Sequence, residues 1–215
     1  MLSKLREPVN GLTHFFTATA AFGGTVFLLY LSRMQLYKQI SLTIYGFSLI
    51  ALFSASAAYH LIQTTPMKLE LLRKLDHSAI YIFIAGSYTP IFFNMFSGFW
   101  KWGFLAIIWS FALIGIVIKL FIIKAPRWTT AGVYLVMGWL SIFSIRQMMS
   151  VLPAGALFWI AAGGIIYTLG AVIYITKIFN FSPGKFGFHE VWHIFVILGA
   201  LSHFIAVVMY IAPSA

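Results

Sequence analysis

Apolar residues fall in long blocks along this chain, and charged residues, prolines and turn-forming glycines gather in the short breaks between them. Seven blocks, near residues 13–32, 40–60, 77–96, 103–123, 129–149, 154–176 and 190–211, each reach about the 20 residues a helix needs to cross a hydrocarbon core. The pattern predicts an all-α integral membrane protein with seven transmembrane helices. The breaks, Arg33 to Gln39, Gln63 to Leu75, Ser97 to Trp102, Lys124 to Trp128, Ser150 to Pro153 and Lys177 to Gly187, are too short for a second domain. Residues 1–215 are therefore expected to form one seven-helix transmembrane domain. In the second long break, PMKLELLRKL places Leu69 and Leu72 among charges, which suits either a short helix on the inner membrane surface or a solvated linker.

Composition agrees. The chain is 61% hydrophobic and 8% charged, against about 25% charged residues in a soluble domain. Lys4, Arg6 and Glu7 lead directly into a full-length apolar block, so this block is expected to persist in the mature protein rather than act as a cleaved leader. Absence of cysteine excludes disulfides, thiol nucleophiles and thiolate ligands, leaving histidine and carboxylates to hold any metal. The net charge of +10 comes without a basic stretch interleaved with aromatics, so nucleic acid is not an expected partner.

The charge instead reports topology, because cytoplasmic loops and helix ends are enriched in Lys and Arg. Ten basic residues (Lys4, Arg6, Lys68, Arg73, Lys74, Lys119, Lys124, Arg127, Lys177 and Lys185) fall on one side, and four (Arg33, Lys38, Lys101 and Arg146) on the other. This predicts the N-terminus inside and the C-terminus outside, with Lys119 and Arg146 reaching outward from helix ends.

In that topology all four acids, Glu7, Glu70, Asp76 and Glu190, lie on the inner side, with His14, His60, His77, His189 and His193. Ionisable groups in apolar helices are costly, so clustering at one depth points to function. Taken singly, His14 and His77 are expected to be interfacial residues rather than ligands, as a lone histidine at a helix end more often is. His203, ten residues beyond His193 and so roughly 15 Å deeper, is too far away to share a metal with it. His189 and His193, like Ser56 and His60, are i, i+4 pairs sharing a helix face, and Asp76 begins the third block at the same level. Three neutral histidines with an open fourth position are a common catalytic zinc site. There Asp76 would accept or relay the proton of a water, and Ser56 would donate to a substrate oxygen or to the same water.

Residues 189–193, HEVWH, also match the H-E-x-x-H string of zinc peptidases, in which the Glu is the general base. A peptidase needs a third ligand. No acid follows Glu190, and His203 misses the extended spacing that ends in a third histidine. Glu190 is rotated about 100° from His189 on a helix, so it faces either the site or a neighbouring helix.

Several spaced motifs resemble those of the progestin and adipoQ receptor family, most closely its bacterial hemolysin III branch, over nearly the whole chain. Glu7-Pro8-Val9-Asn10-Gly11-Leu12-Thr13-His14 is similar to the family's E-x-x-N-x-x-x-H opening. Ser56 to His60 followed by Asp76 resembles its S-x-x-x-H and later D, and His189 to His193 its closing H-x-x-x-H. Gly86-Ser87-Tyr88-Thr89-Pro90 also looks like the family, and its proline is expected to kink the third helix. The resemblance implies an adiponectin-receptor-like bundle, zinc held by His60, His189 and His193, Asp76 on the zinc-bound water, and Glu7, Asn10 and His14 in support. The wider superfamily implies hydrolysis of an amide in a membrane lipid.

The expected function is thus a zinc-dependent, ceramidase-like lipid hydrolase of a bacterial plasma membrane. The competing readings are a sensor of membrane state with structural zinc, and a cytolysin that perturbs membranes. Gly163 and Gly164 permit close helix contact, within the chain or between chains.

Overall fold

The computed structural model describes residues 5–122, 125–182 and 186–213. Lys4, Lys124, Lys185 and the loop residue Gly184 lie outside the described residues. The helices are α1 (Pro8–Leu31), α2 (Leu36–Leu61), α3 (Pro66–Met95), α4 (Gly98–Phe121), α5 (Arg127–Gly138), α6 (Ile145–Val151), α7 (Ala154–Thr176) and α8 (Phe188–Ala206). A 3₁₀ segment, Trp139–Ser144, joins α5 to α6, and a π turn, Val207–Ile211, extends α8. Pro8 and Pro66 occupy first-turn positions, where a missing N–H costs nothing.

Among the described residues, six helical segments are long and apolar enough to cross a membrane: α1, α2, α4, α7, the run Arg127–Val151, and α8 with its π turn. Their outward faces carry exposed Phe16, Phe47, Phe111 and Phe143, as lipid-facing surfaces do. α3 is the longest helix, at 30 residues, but is more polar than the others. Apart from Asp76, its charged residues fall in its exposed or half-buried first turns, Lys68 to Lys74, whereas every residue from Ala85 to Phe92 is buried. It packs against α2, α4, α5 and the π turn. A helix sheathed by protein needs no continuous apolar surface.

Three features differ from the sequence expectations. The PMKLELLRKL stretch is neither a separate surface helix nor a linker but the first turns of α3, since nothing between Pro66 and His77 breaks a helix. The fifth block is not one α-helix. It tightens to 3₁₀ geometry after Gly138, and Tyr88 of α3 serves the altered backbone, its hydroxyl facing the carbonyls of Met137 and Gly138 and accepting from Ser141 N–H at 3.1 Å. Such repair is required where backbone bonds open at membrane depth. Lys119 does not reach outward: it is buried, and its Nζ donates to Thr130 Oγ1 at 3.0 Å. Arg146 is exposed. α3 continues through Pro90 to Met95, and Asn94 Nδ2 donates to the Pro90 carbonyl at 2.6 Å.

α1 packs against both α2 and α8, and α7 packs along α8. A Cβ on Gly163 would collide with the His203 ring of α8, and one on Gly199 with Tyr167 of α7. Gly164 faces Trp139. The glycine seam therefore serves contact within this chain.

Candidate metal centre

The last turn of α2 and the first turns of α8 meet beside the start of α1, and four imidazoles lie there together. His189 and His193, one turn apart on α8, have ring centroids 4.8 Å apart. His60 of α2 sets its ring 4.8 Å from His193 and 5.2 Å from His189, edge-on to both. One nitrogen from each of His60, His189 and His193 lies within 4.8 Å of the other two. A tetrahedral ion with bonds of about 2.0–2.1 Å needs nitrogens about 3.4 Å apart. Small ring rotations therefore bring this set onto one ion. The donor chemistry fits as well: His193 Nδ1 is enclosed with no hydrogen-bond partner among the described residues. The rings of His60 and His193 are both buried, so they are held by protein rather than free in solvent.

His14, the fourth imidazole, stacks on His193 at 3.9 Å with the rings 10° from parallel. Its Nδ1 lies 2.8 Å from Ser56 Oγ. Ser56 on α2 is thus held by α1 while remaining one turn from His60. Asp76, the first buried residue of α3, is 8% exposed. Ser56, Asp76, His14, His77, His189 and His193 all contribute to the wall of one cavity of about 440 Å³. From these polar groups the cavity continues between Phe83, Ile91, Leu157 and Met148 to Tyr167 and His203. A polar head and an apolar body of this size suit a ligand with one reactive polar group and a hydrocarbon chain. His203 Nε2 is bound to the Ile160 carbonyl at 3.2 Å, on the distant part of α8.

Glu190 does not point to the histidines. Oε2 accepts from Gly187 N–H at 2.8 Å, which caps the start of α8, and Oε1 accepts from Asn10 Nδ2 at 2.8 Å. Of the two directions helix geometry allowed, the neighbouring helix is the one taken. Glu7 caps the other side of the centre: its Oε2 accepts from His60 Nδ1 at 2.6 Å. This bond holds the Glu7 carboxyl down at about 2, with the cationic Arg6 adding to the effect. Sequence reasoning missed Tyr174 and Trp192. The Tyr174 ring stands edge-on to His189 at 5.8 Å and leans on Trp192 at 5.5 Å. Tyr174 lies near the C-terminal end of α7, at the level of the N-terminal turns of α8 that carry the histidines, so depth along the sixth block was the available signal.

A family model described as Haemolysin-III related matches residues 2–204. The chain is 34% identical to the Hemolysin-3 homolog of Bacillus subtilis (strain 168), over 98% of its own length and 96% of the relative's. It is 32% identical to Hemolysin-3 of Bacillus cereus, covering 97% and 93% of the two chains. It is 27% identical to the adiponectin receptor protein of Drosophila melanogaster, over 92% of this chain and 49% of that one.

Proposed function

The chain belongs to the Haemolysin-III related family, the bacterial branch of the progestin and adipoQ receptor family, and is a multi-pass integral membrane protein; from that premise we propose that it is a zinc-dependent hydrolase of an amide in a membrane lipid. The observation that carries this reading is the convergence of His60, His189 and His193, the last two of which line the polar head of an apolar cavity. Three histidines leave one of four tetrahedral positions for water, whereas structural zinc sites fill all four with protein. The bacterial plasma membrane accords with the Bacillus relatives.

Zinc bound by these histidines would supply Lewis acidity and bring a water to a pKa of roughly 7. The chain's own groups do the rest. The cavity wall seats the acyl chain and sets the amide carbonyl beside Ser56, whose hydroxyl donates to the carbonyl oxygen. Water oxygen adds to the carbonyl carbon, and Asp76 takes the proton. The C–N bond then breaks, and Asp76 returns the proton to the leaving nitrogen, so a fatty acid and an amine result. His14 holds Ser56 in place throughout. In this reading α3 is the seventh span, residues 1–215 form one domain, the N-terminus is inside and the site opens to the inner leaflet.

The test is to incubate purified protein with a panel of ceramides and other N-acyl lipids and to measure free fatty acid. Release by the wild type and a loss of about 10²-fold or more in Asp76→Ala are expected. No release from any lipid, or equal rates in Asp76→Ala, would overturn the hydrolase.

A further inference from the structure

The segment before α1 is tied to the end of α2 by more bonds than a helix lead-in requires. Glu7 N–H donates to the His60 carbonyl at 2.9 Å, and Arg6 N–H to the Leu61 carbonyl at 3.5 Å. The Arg6 guanidinium lies 4.2 Å over the Tyr59 ring, donates to the Tyr59 carbonyl, and pairs with Glu7 Oε1 at 3.4 Å. All of this leaves Glu7 Oε2 free to meet one atom, His60 Nδ1, at 2.6 Å.

That contact assigns a proton. A carboxylate has only acceptors, so the hydrogen in the bond belongs to the imidazole Nδ1. A neutral His60 is then the Nδ1–H tautomer, and the lone pair available to a metal is on Nε2. The ring is also 2% exposed and wedged against Tyr59, His189 and His193, so it cannot flip without breaking this bond. A carboxylate bonded to the far nitrogen of a metal-ligating histidine orients the ring and raises its basicity, and its loss commonly costs 10–100-fold in metal affinity.

We propose that Glu7 is a positioning residue that fixes His60 in the Nδ1–H tautomer and so presents its Nε2 to the metal, with Arg6 holding the carboxylate in register. Asn10 plays the parallel part for α8: through Glu190 it fastens the first turn, from which His189 and His193 project. The α1 entry thus sets the geometry of a centre to which it contributes no ligand.

This proposal rests on the three-histidine metal reading, and two measurements on the purified full-length protein separate the two. The first is zinc affinity, by competition with a chelator of known affinity, for wild type, Glu7→Ala and Glu7→Asp. Expected are a 10–100-fold weaker Kd in Glu7→Ala and substantial recovery in Glu7→Asp. The second is the pair of 15N shifts of the His60 ring in metal-free wild type, assigned by their loss in His60→Ala, which report the protonated nitrogen without any metal. Protonation at Nδ1 is expected, shifting toward Nε2 in Glu7→Ala. Zinc binding by wild type with an unchanged Kd in Glu7→Ala, or protonation of wild-type His60 at Nε2, overturns the role of Glu7 alone. Failure of the wild type to bind zinc overturns both. If Glu7→Ala does not fold, wild-type shifts and Glu7→Asp affinity still decide.

Discussion

At the scale of single residues, what distinguishes Asp76 from Glu190 is where their oxygens go. Asp76 faces the cavity, whereas both oxygens of Glu190 are engaged, one by Gly187 N–H and one by Asn10. Glu190→Gln is therefore expected to keep zinc and retain hydrolysis within a few-fold, with a stability loss of about 1 kcal/mol from the weakened cap. A peptidase-like base would instead lose nearly all turnover, so the rate of this one variant separates the two roles. Ser56→Ala should lower the rate more than it lowers zinc content, because Ser56 bonds His14 rather than a ligand histidine. The metal content and rate of the same preparation check this. Of these residues, the i, i+4 face of His189 and His193 was legible from helical period alone. The bond from Asn10 to Glu190 spans 180 positions and that from His60 to Glu7 spans 53. Only a fold brings such pairs together, so the motif at Glu7, Asn10 and His14 could be noticed in the sequence but not explained by it.

At the scale of elements, block length carried six of the spans, since apolar runs near 20 residues cannot end elsewhere. The break in the fifth run was not legible, because its cause lies on another helix. Tyr88 of α3 accepts from Ser141 N–H and faces two carbonyls of the preceding turn, stabilising a 3₁₀ stretch that nothing in WLSIFS demands. Tyr88→Phe leaves those groups unpaired at depth and should cost about 1–3 kcal/mol in reversible unfolding in detergent. An unchanged unfolding midpoint would show that other groups satisfy them. Gly163→Leu tests the α7–α8 seam in the same way. Its side chain meets the His203 ring, so a pronounced fall in thermal stability is expected, measured by thermal shift.

At the scale of the whole molecule, α1, α2 and α8 bring their ends together at one level, and α3 runs through the centre beside them. This arrangement explains why the polar residues of the chain cluster where they do: the bundle, not the lipid, surrounds them. It also places α1 next to α8, so the candidate metal centre joins helices far apart in the sequence. If the basic-residue bias sets orientation, a reporter fused after Ala215 reads as external; a cytoplasmic signal reverses the topology and moves the site to the other leaflet. The central claim is that His60, His189 and His193 hold zinc, and it meets its most direct test in metal analysis of purified protein. The account predicts about one zinc per chain in the wild type and almost none in a His60→Ala, His193→Ala double variant that still folds. Wild type without stoichiometric zinc, or a double variant that retains it, would contradict the account.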